Sequence, residues 1–254
     1  MRFIRLLIGY VKQYFVQWLS MRGFTLTLVA NQAITPLIGL AVWTSAVPGQ
    51  NLSAYYIALM VVRLCVVSYE HHTFSGSIYE GSLADNLLQP HPVVLKPLSE
   101  NLAIRVWHLL IGLPLLIGAL VFTPAHFDAT NILSALPALV LAGALNFLFT
   151  YALSMSAFWT ERAHGVTGIG TTLIFLLGGE AAPIRFLPEA IRPLGEALPF
   201  RVMLGFPAEV ATGALSSLQI ITGYAWQVIW LCIFALMVLR VWRAGLRRFA
   251  AVGG

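Results

Sequence analysis

The chain has 254 residues, of which 59% are hydrophobic and only 10% are charged, and its formal net charge is +5. An ordinary soluble domain carries roughly 25% charged residues, and a soluble fold of this size cannot hide so much apolar surface. Composition therefore excludes a soluble enzyme, a disordered chain and a disulfide-stapled secreted module. It favours an all-α membrane protein that crosses the bilayer several times.

The first predicted element, residues 1–22, is an amphipathic helix that lies in the cytoplasmic interface of the membrane. Its apolar residues recur at steps of three and four, with basic and amide side chains between them. These apolar residues are Ile4, Leu7, Val11, Phe15 and Trp18. A secretory signal would show one unbroken apolar block followed by small residues. The alternative is a simple cytoplasmic extension of the first membrane span.

Six apolar segments follow, and each is predicted to span the membrane because a bilayer core needs about 20 apolar residues in a helix. They cover residues 24–47, 53–69, 104–122, 132–159, 166–198 and 218–241. The fifth is predicted to be a broken helix, since its apolar part (166–179) is only about 21 Å long. A second helical piece, 188–198, completes it. The apolar runs are continuous rather than alternating, which argues against a barrel of strands.

Arg63 is the one basic residue well inside a predicted span. An arginine at mid-membrane costs about 2.5–3.5 kcal/mol on insertion scales, so something should compensate it. A wet cavity, a carboxylate on a neighbouring chain or an anionic substrate group would do so, which makes Arg63 the cavity candidate. The alternative is a displaced second span whose arginine snorkels to an interface. The amides of Asn31, Gln32, Asn146 and Gln227 are assigned to hydrogen bonds between helices.

The segment between the second and third spans, residues 69–107, is long for a loop and is predicted to hold a short amphipathic helix parallel to the membrane. Its apolar face would consist of Ile78, Leu83, Leu87 and Leu88. The prolines from Pro90 onward stop the helix. With Glu80 and Asp85 exposed, such a helix suits docking on a partner. The alternative is a helical hairpin packed on its own bundle.

The segment after the fifth apolar run, residues 178–213, contains five prolines and several glycines that break any straight helix. Irregular backbone near membrane depth is tolerated only where it is buried in protein or lines a wet cavity. A re-entrant helical hairpin at the outer face is therefore predicted, with Glu180 at its mouth. Glu180 would either pair with Arg185 or stay solvated, and the solvated carboxylate is preferred.

The positions of Lys and Arg predict that both termini are cytoplasmic. The cytoplasmic set is Arg2, Arg5, Lys12, Arg22, Lys96, Arg105, Arg162, Arg240, Arg243, Arg247 and Arg248. The outer set is Arg185, Arg192 and Arg201. Because these cations flank apolar runs, the positive charge indicates the cytoplasmic membrane face rather than nucleic acid.

The sequence carries no pattern for a metal or a nucleotide. Cys65 and Cys232 fall inside apolar runs and give neither a disulfide framework nor metal-ligand spacing. The adjacent His71 and His72 point to different sides of a helix, so a helix end is preferred to a metal site. Neither lysine follows a glycine, so there is no phosphate-binding P-loop, and any ATP must be bound by another chain.

Two segments together resemble the membrane subunits of type-2 ABC exporters, in the order and spacing of their motifs. The outer one reads G-x-x-x-P-x-x-F-L-P-x-x-I, followed by L-P-F. The cytoplasmic one reads I-x-x-G-x-L-x-x-x-L-L-x-P and is carried by Ile78, Gly81, Leu83, Leu87, Leu88 and Pro90. One departure is Gly178-Gly179-Glu180, where such permeases often carry a Ser-Gly pair.

The resemblance implies the function of these segments. The docking residues on an ATPase would be Glu80, Gly81, Leu83, Asp85, Leu87, Leu88 and Pro90, helped by Arg2, Arg5 and Lys12. The outer hairpin and gate would comprise Gly178, Gly179, Glu180, Pro183 and Pro188. ATP and Mg²⁺ would bind to two partner ATPase subunits, and this chain would hold no cofactor. A second permease chain, preferably a different one, would complete the complex in a bacterial inner membrane.

The substrate implied by the resemblance is hydrophobic or amphiphilic, such as a drug, a lipid or a glycolipid. The main alternative is a secondary transporter driven by an ion gradient. That class usually needs several ionisable residues in its spans and repeated halves. The sequence shows only Arg63 and no convincing repeat. An integral-membrane enzyme would need a cluster of His, Asp or Glu at the interface, and the sequence contains none.

Overall fold

The computed structural model describes residues 2–47, 52–160 and 163–249, and within these ranges the chain is helical without strands. The α-helices are α1 (Arg2–Ser20), α2 (Arg22–Ala46), α3 (Ser53–Val66), α4 (Glu70–Tyr79), α5 (Leu83–Leu87), α6 (Leu95–Phe122), α7 (Ala129–Ser154), α8 (Ala163–Leu177), α9 (Arg192–Ala197), α10 (Pro199–Met203), α11 (Gly205–Ala211) and α12 (Ser217–Leu246). Arg162 and the side chain of Arg2 lie outside the described residues.

Five helical segments of the described chain are long and apolar enough to cross a membrane. They are Arg22–Ala46, Ser53–Tyr79, Leu95–Phe122, Ala129–Phe158 and Ser217–Leu246. The predicted fifth span, 166–198, corresponds to the shorter α8 and an irregular stretch after it. A sixth crossing made by this broken segment therefore stays a prediction.

The segment Ser53–Tyr79 forms the centre of the bundle. Of an 18-residue apolar stretch in this segment, 72% of the residues are buried. The corresponding share is 17% in α6 and 11% in α12. Its helix α3 packs against α2, α6, α7 and α11. Broad apolar faces of α6 and α12 are therefore exposed in the described part of the chain.

The N-terminal helix α1 packs along α6. The rings of Phe15 and Trp107 stack with centroids 4.6 Å apart, and the Trp107 indole N–H donates to the Phe15 carbonyl at 3.0 Å. Trp18 is buried among Val67, Ala103 and Ile104. The structure therefore places α1 beside the bundle, and its interfacial position in a membrane stays a prediction.

The segment that follows α8 folds back into the bundle through a close glycine contact. Gly179 has φ of +92°, and a Cβ there would lie 2.5 Å from the Tyr55 hydroxyl. A Cβ on Gly205 would lie 2.7 Å from the Gly178 carbonyl oxygen, so only glycine fits this approach. The following helices α10 and α11 pack against α3, α7 and α12, with Val202 and Phe206 fully buried.

The second helical piece predicted over 188–198 is shorter in the structure. Helix α9 covers only Arg192–Ala197, with Pro193 in its first turn. Pro199 begins α10, and Leu198 before it is extended at φ −73° and ψ 155°. Since a residue that precedes proline is pushed out of the helical region, α9 has to end there.

Candidate functional site

A partly open cavity of about 520 Å³ lies between the helices of the bundle, and both polar and apolar side chains line it. Helices α2, α3, α4, α6, α7 and α8 form its walls together with the segment that follows α8. Its polar lining includes Asn31, Gln32, Thr35, Arg63, His108, Asn146, Thr150, Thr171 and Glu180. Polar and ionisable residues are costly at membrane depth and usually face a water-filled pathway. The cavity is therefore the candidate substrate site.

Arg63, the cavity candidate, is among the residues that line this cavity. Its Nη1 lies 3.2 Å from Oε2 of Glu180, and the exposed fractions of the two side chains are 20% and 1%. The compensating carboxylate thus belongs to the same chain. The guanidinium of Arg63 lies beside Glu180 in the bundle, and the depth of Arg63 in a membrane stays a prediction.

The interpretation of Glu180 as solvated, or as paired with Arg185, is wrong. The turn at Gly178 and Gly179 directs Glu180 into the bundle, where the residue is 2% exposed. Arg185 is exposed, and its guanidinium lies over the Phe186 ring at 5.0 Å. Trp43 contacts the start of the segment that follows α8, because its indole N–H donates to the Ala181 carbonyl at 2.8 Å.

The wall of the cavity contains a helix break that the sequence did not reveal. The second span was predicted as continuous over 53–69, but α3 ends at Val66 and α4 begins at Glu70. Side chains from α6 and α7 satisfy the freed carbonyls. Asn146 donates to the Val66 oxygen at 2.5 Å, and Arg105 donates through Nε to the Val67 oxygen at 3.1 Å.

Glu70 is fully buried at this break. Asn101 donates to its Oε2 at 2.9 Å, and the Thr150 hydroxyl donates to its Oε1. Within the described chain no Lys, Arg or His lies within 4.0 Å of Glu70 as an ion-pair partner. Neutral donors therefore stabilise the Glu70 carboxylate, and Asn101 also donates to the Val67 carbonyl at the break. The sequence did contain a signal for this polar network. Asn101 and Arg105 are four residues apart and share one face of α6, and Asn146 and Thr150 do the same on α7.

His71 and His72 lie in the first turn of α4 and line the cavity. Their ring centroids are 4.2 Å apart, and the ring of His164 on α8 lies 5.3 Å from that of His72. In the described ranges no group of three or more His, Cys, Asp or Glu is placed to hold a metal ion. The histidines thus mark the edge of the cavity where α4 leads away from it.

Helix α4 ends in a tight turn that separates the buried from the exposed part of the predicted docking segment. Gly81 has φ of +76°, which reverses the chain before α5. Leu83 is 0% exposed and packs with Phe74, Ile78 and Met155. Contrary to its prediction as a docking residue, Leu83 is therefore not exposed, and it packs on its own bundle as in the alternative.

The other side of the same segment faces outward. Leu88 is 85% exposed and Leu87 is 40% exposed. Glu80, Asp85 and Pro90 are exposed beside them. These five residues are called the coupling surface below.

Helix α1 and the base of α6 hold the coupling surface in place. The Tyr10 hydroxyl lies 2.8 Å from Nε2 of His91, and Lys96 donates to Oδ1 of Asn86 at 2.5 Å. At the other end of the turn, the Tyr79 hydroxyl donates to the Thr160 carbonyl at 3.0 Å. Hydrogen bonds therefore hold both ends of the segment that carries this surface.

A family model described as ABC-2 family transporter protein matches residues 49–253. The search of curated proteins gives no match for the chain.

Proposed function

The chain belongs to the ABC-2 family of transporter proteins, and from that premise we propose that it is the permease of an exporter for a hydrophobic or amphiphilic substrate such as a drug, a lipid or a glycolipid. The resemblance inferred from the motifs is confirmed by the match over residues 49–253. The chain is accordingly an ABC permease and a membrane protein with several spans. Family membership also implies association with ABC ATPase subunits.

The observation that carries the export proposal is the cavity of about 520 Å³ in the bundle. Its lining mixes amides and hydroxyls with apolar side chains such as Ile174 and Phe175. A pathway for an amphiphile needs both kinds of surface, because the substrate carries both. In the proposal this cavity is the binding site that alternately opens to the two sides of the membrane.

The proposed route for energy runs through α4. This ten-residue helix extends from His71 at the cavity edge to the turn that bears the coupling surface. A helix of that length spans about 15 Å and acts as a rigid connection. In the proposed cycle, ATP and Mg²⁺ close two partner ATPase subunits, the coupling surfaces approach each other, and the cavity changes its access.

The remaining parts of the assembly are proposals of the same kind. The exposed apolar faces of α2, α6 and α12 leave room for lipid and for a second permease chain, for which a different chain is preferred. The broken segment after α8 would complete the sixth crossing. Both termini would then be cytoplasmic, in a bacterial inner membrane.

Purification of the tagged chain from native membranes in mild detergent tests the proposal. An ABC ATPase is expected to co-purify, and the eluate is expected to hydrolyse ATP in a manner blocked by vanadate. An untagged strain carried through the same steps is the control. Transport by this chain alone, driven by a proton gradient and insensitive to vanadate, would contradict the proposal and support a secondary transporter.

A further inference from the structure

The ion pair between Arg63 and Glu180 is incomplete. The two charged groups approach to 3.2 Å, but neither oxygen of Glu180 accepts a hydrogen bond from the described chain. Nε of Arg63 is also buried without an acceptor. A carboxylate offers about four acceptor positions and a guanidinium about five donor N–H groups. Since buried charged groups are normally hydrogen-bonded, both partners keep unused capacity.

Both of these groups face the same cavity, and the cavity has room for a ligand beside them. Its volume of about 520 Å³ falls within the range of small-molecule sites. The amides of Asn31 and Gln32 line it on α2, while Phe175 and Leu204 supply apolar surface. A ligand in this position therefore meets charged, polar and apolar groups at once.

The charges of the lining restrict the class of ligand. Arg63 and Glu180 are the only Lys, Arg, Asp or Glu among the residues that the structure places around the cavity. A purely anionic ligand beside this pair would bring a second buried negative charge against the single positive charge of Arg63. A purely cationic ligand would bring a second positive charge against the single negative charge of Glu180. Uncompensated buried charge is strongly unfavourable.

We propose that the cavity binds a zwitterionic amphiphile, whose negative group contacts Arg63 and whose positive group contacts Glu180. The inference rests on the proposed function, since it takes the cavity to be the transport pathway. The ligand adds one donor and one acceptor where the internal pair lacks them, so no charge is left unpaired. The apolar part of the ligand lies against Phe175 and Leu204.

Three probes with the same acyl or alkyl chain test the proposal: a lysophosphatidylethanolamine, a lysophosphatidylglycerol and a primary alkylammonium, whose N–H groups can donate to Glu180. Binding to the purified complex in a neutral maltoside detergent is measured by native mass spectrometry. The zwitterionic probe is expected to bind about tenfold more tightly than the other two. Equal binding of all three probes would overturn the proposal.

Two double variants connect this preference to the ion pair without leaving a single buried charge. Arg63→Gln with Glu180→Gln removes both charges and is expected to abolish the preference. Arg63→Glu with Glu180→Arg exchanges them and is expected to keep it, because both signs still line the cavity. An unchanged preference in the neutral pair, or a lost one in the exchanged pair, would overturn the proposal.

Failure of the zwitterion proposal and failure of the proposed function give different experimental results. Vanadate-sensitive ATP hydrolysis in the complex, together with indifference to probe charge, would reject the zwitterion and keep the permease. If no ATPase co-purifies but the chain still prefers the zwitterionic probe, the transport cycle is rejected and the chain remains a zwitterion-binding membrane protein.

Discussion

Replacing Leu88 by aspartate is expected to release the partner ATPase while the permease stays folded. Leu88 is 85% exposed at the end of α5, so the change removes no packing from the bundle. We expect Leu88 to be one of the few hot-spot residues of the docking surface, and truncation of such a residue costs about 2 kcal/mol or more of binding free energy, roughly a thirtyfold change in affinity. Co-purification of the ATPase with the tagged variant measures the loss, and size-exclusion chromatography in detergent reports the fold.

Leu83→Asp is the matched control for Leu88→Asp, because it introduces the same aspartate in the same predicted docking segment. Leu83 is 0% exposed and lies in the cluster that contains Phe74 and Met155. A carboxylate there is buried among apolar side chains, which costs about 3 kcal/mol or more. The variant is expected to aggregate or to lose yield as a whole. A folded Leu83→Asp permease that has lost only its ATPase, or a Leu88→Asp permease that binds it fully, would show that the coupling surface is misplaced.

The second large effect is expected at the helix break in the cavity wall. Asn101→Ala removes donors to the Val67 carbonyl, to the Ser68 hydroxyl and to Glu70 at once. Arg105 still donates to Val67 and Thr150 still donates to Glu70, so the cost is that of the lost hydrogen bonds, about 0.5–1.5 kcal/mol each and about 1.5–3 kcal/mol for the one to the charged Glu70. The midpoint of thermal unfolding in detergent is therefore expected to fall by several degrees.

Asn31→Ala serves as the control for that measurement. Asn31 also lines the cavity, but its side chain is exposed there rather than buried in the network. Its replacement is expected to leave the midpoint unchanged. Equal stability of Asn101→Ala and the unchanged protein would mean that backbone geometry alone holds the break, and that the buried amide contributes nothing to it.

The long helices were predictable because a membrane crossing imposes length and continuous apolarity on the sequence. The break after Val66 was not, since nothing in the local pattern stops a helix there. Its partners are Asn101 and Asn146, which lie 34 and 80 residues away from the carbonyls that they bind. Local composition can indicate that an amide is buried, but only the packed bundle determines which carbonyl it meets.

The same limit applies to the predicted site residues, because contacts between distant segments depend on how the bundle packs. Arg63 was identifiable because a lone arginine in an apolar run requires compensation. Its partner Glu180 was missed, because the inward turn at Gly179 is a consequence of packing against Tyr55 and Gly205. Periodicity likewise grouped Leu83 with Leu88, although a glycine turn sends one into the core and leaves the other outside.

The central claim is that the coupling surface faces the side where the ATPase binds, opposite to the segment that follows α8. Single cysteines test it most directly, at Leu88→Cys and at the exposed Glu189→Cys, in a background with Cys65→Ala and Cys232→Ala. A membrane-impermeant maleimide is applied to right-side-out and to inside-out vesicles. Position 88 is expected to react only when the cytoplasmic face is accessible, and position 189 only from the other face. Labelling of position 88 from the outer face would contradict the claim.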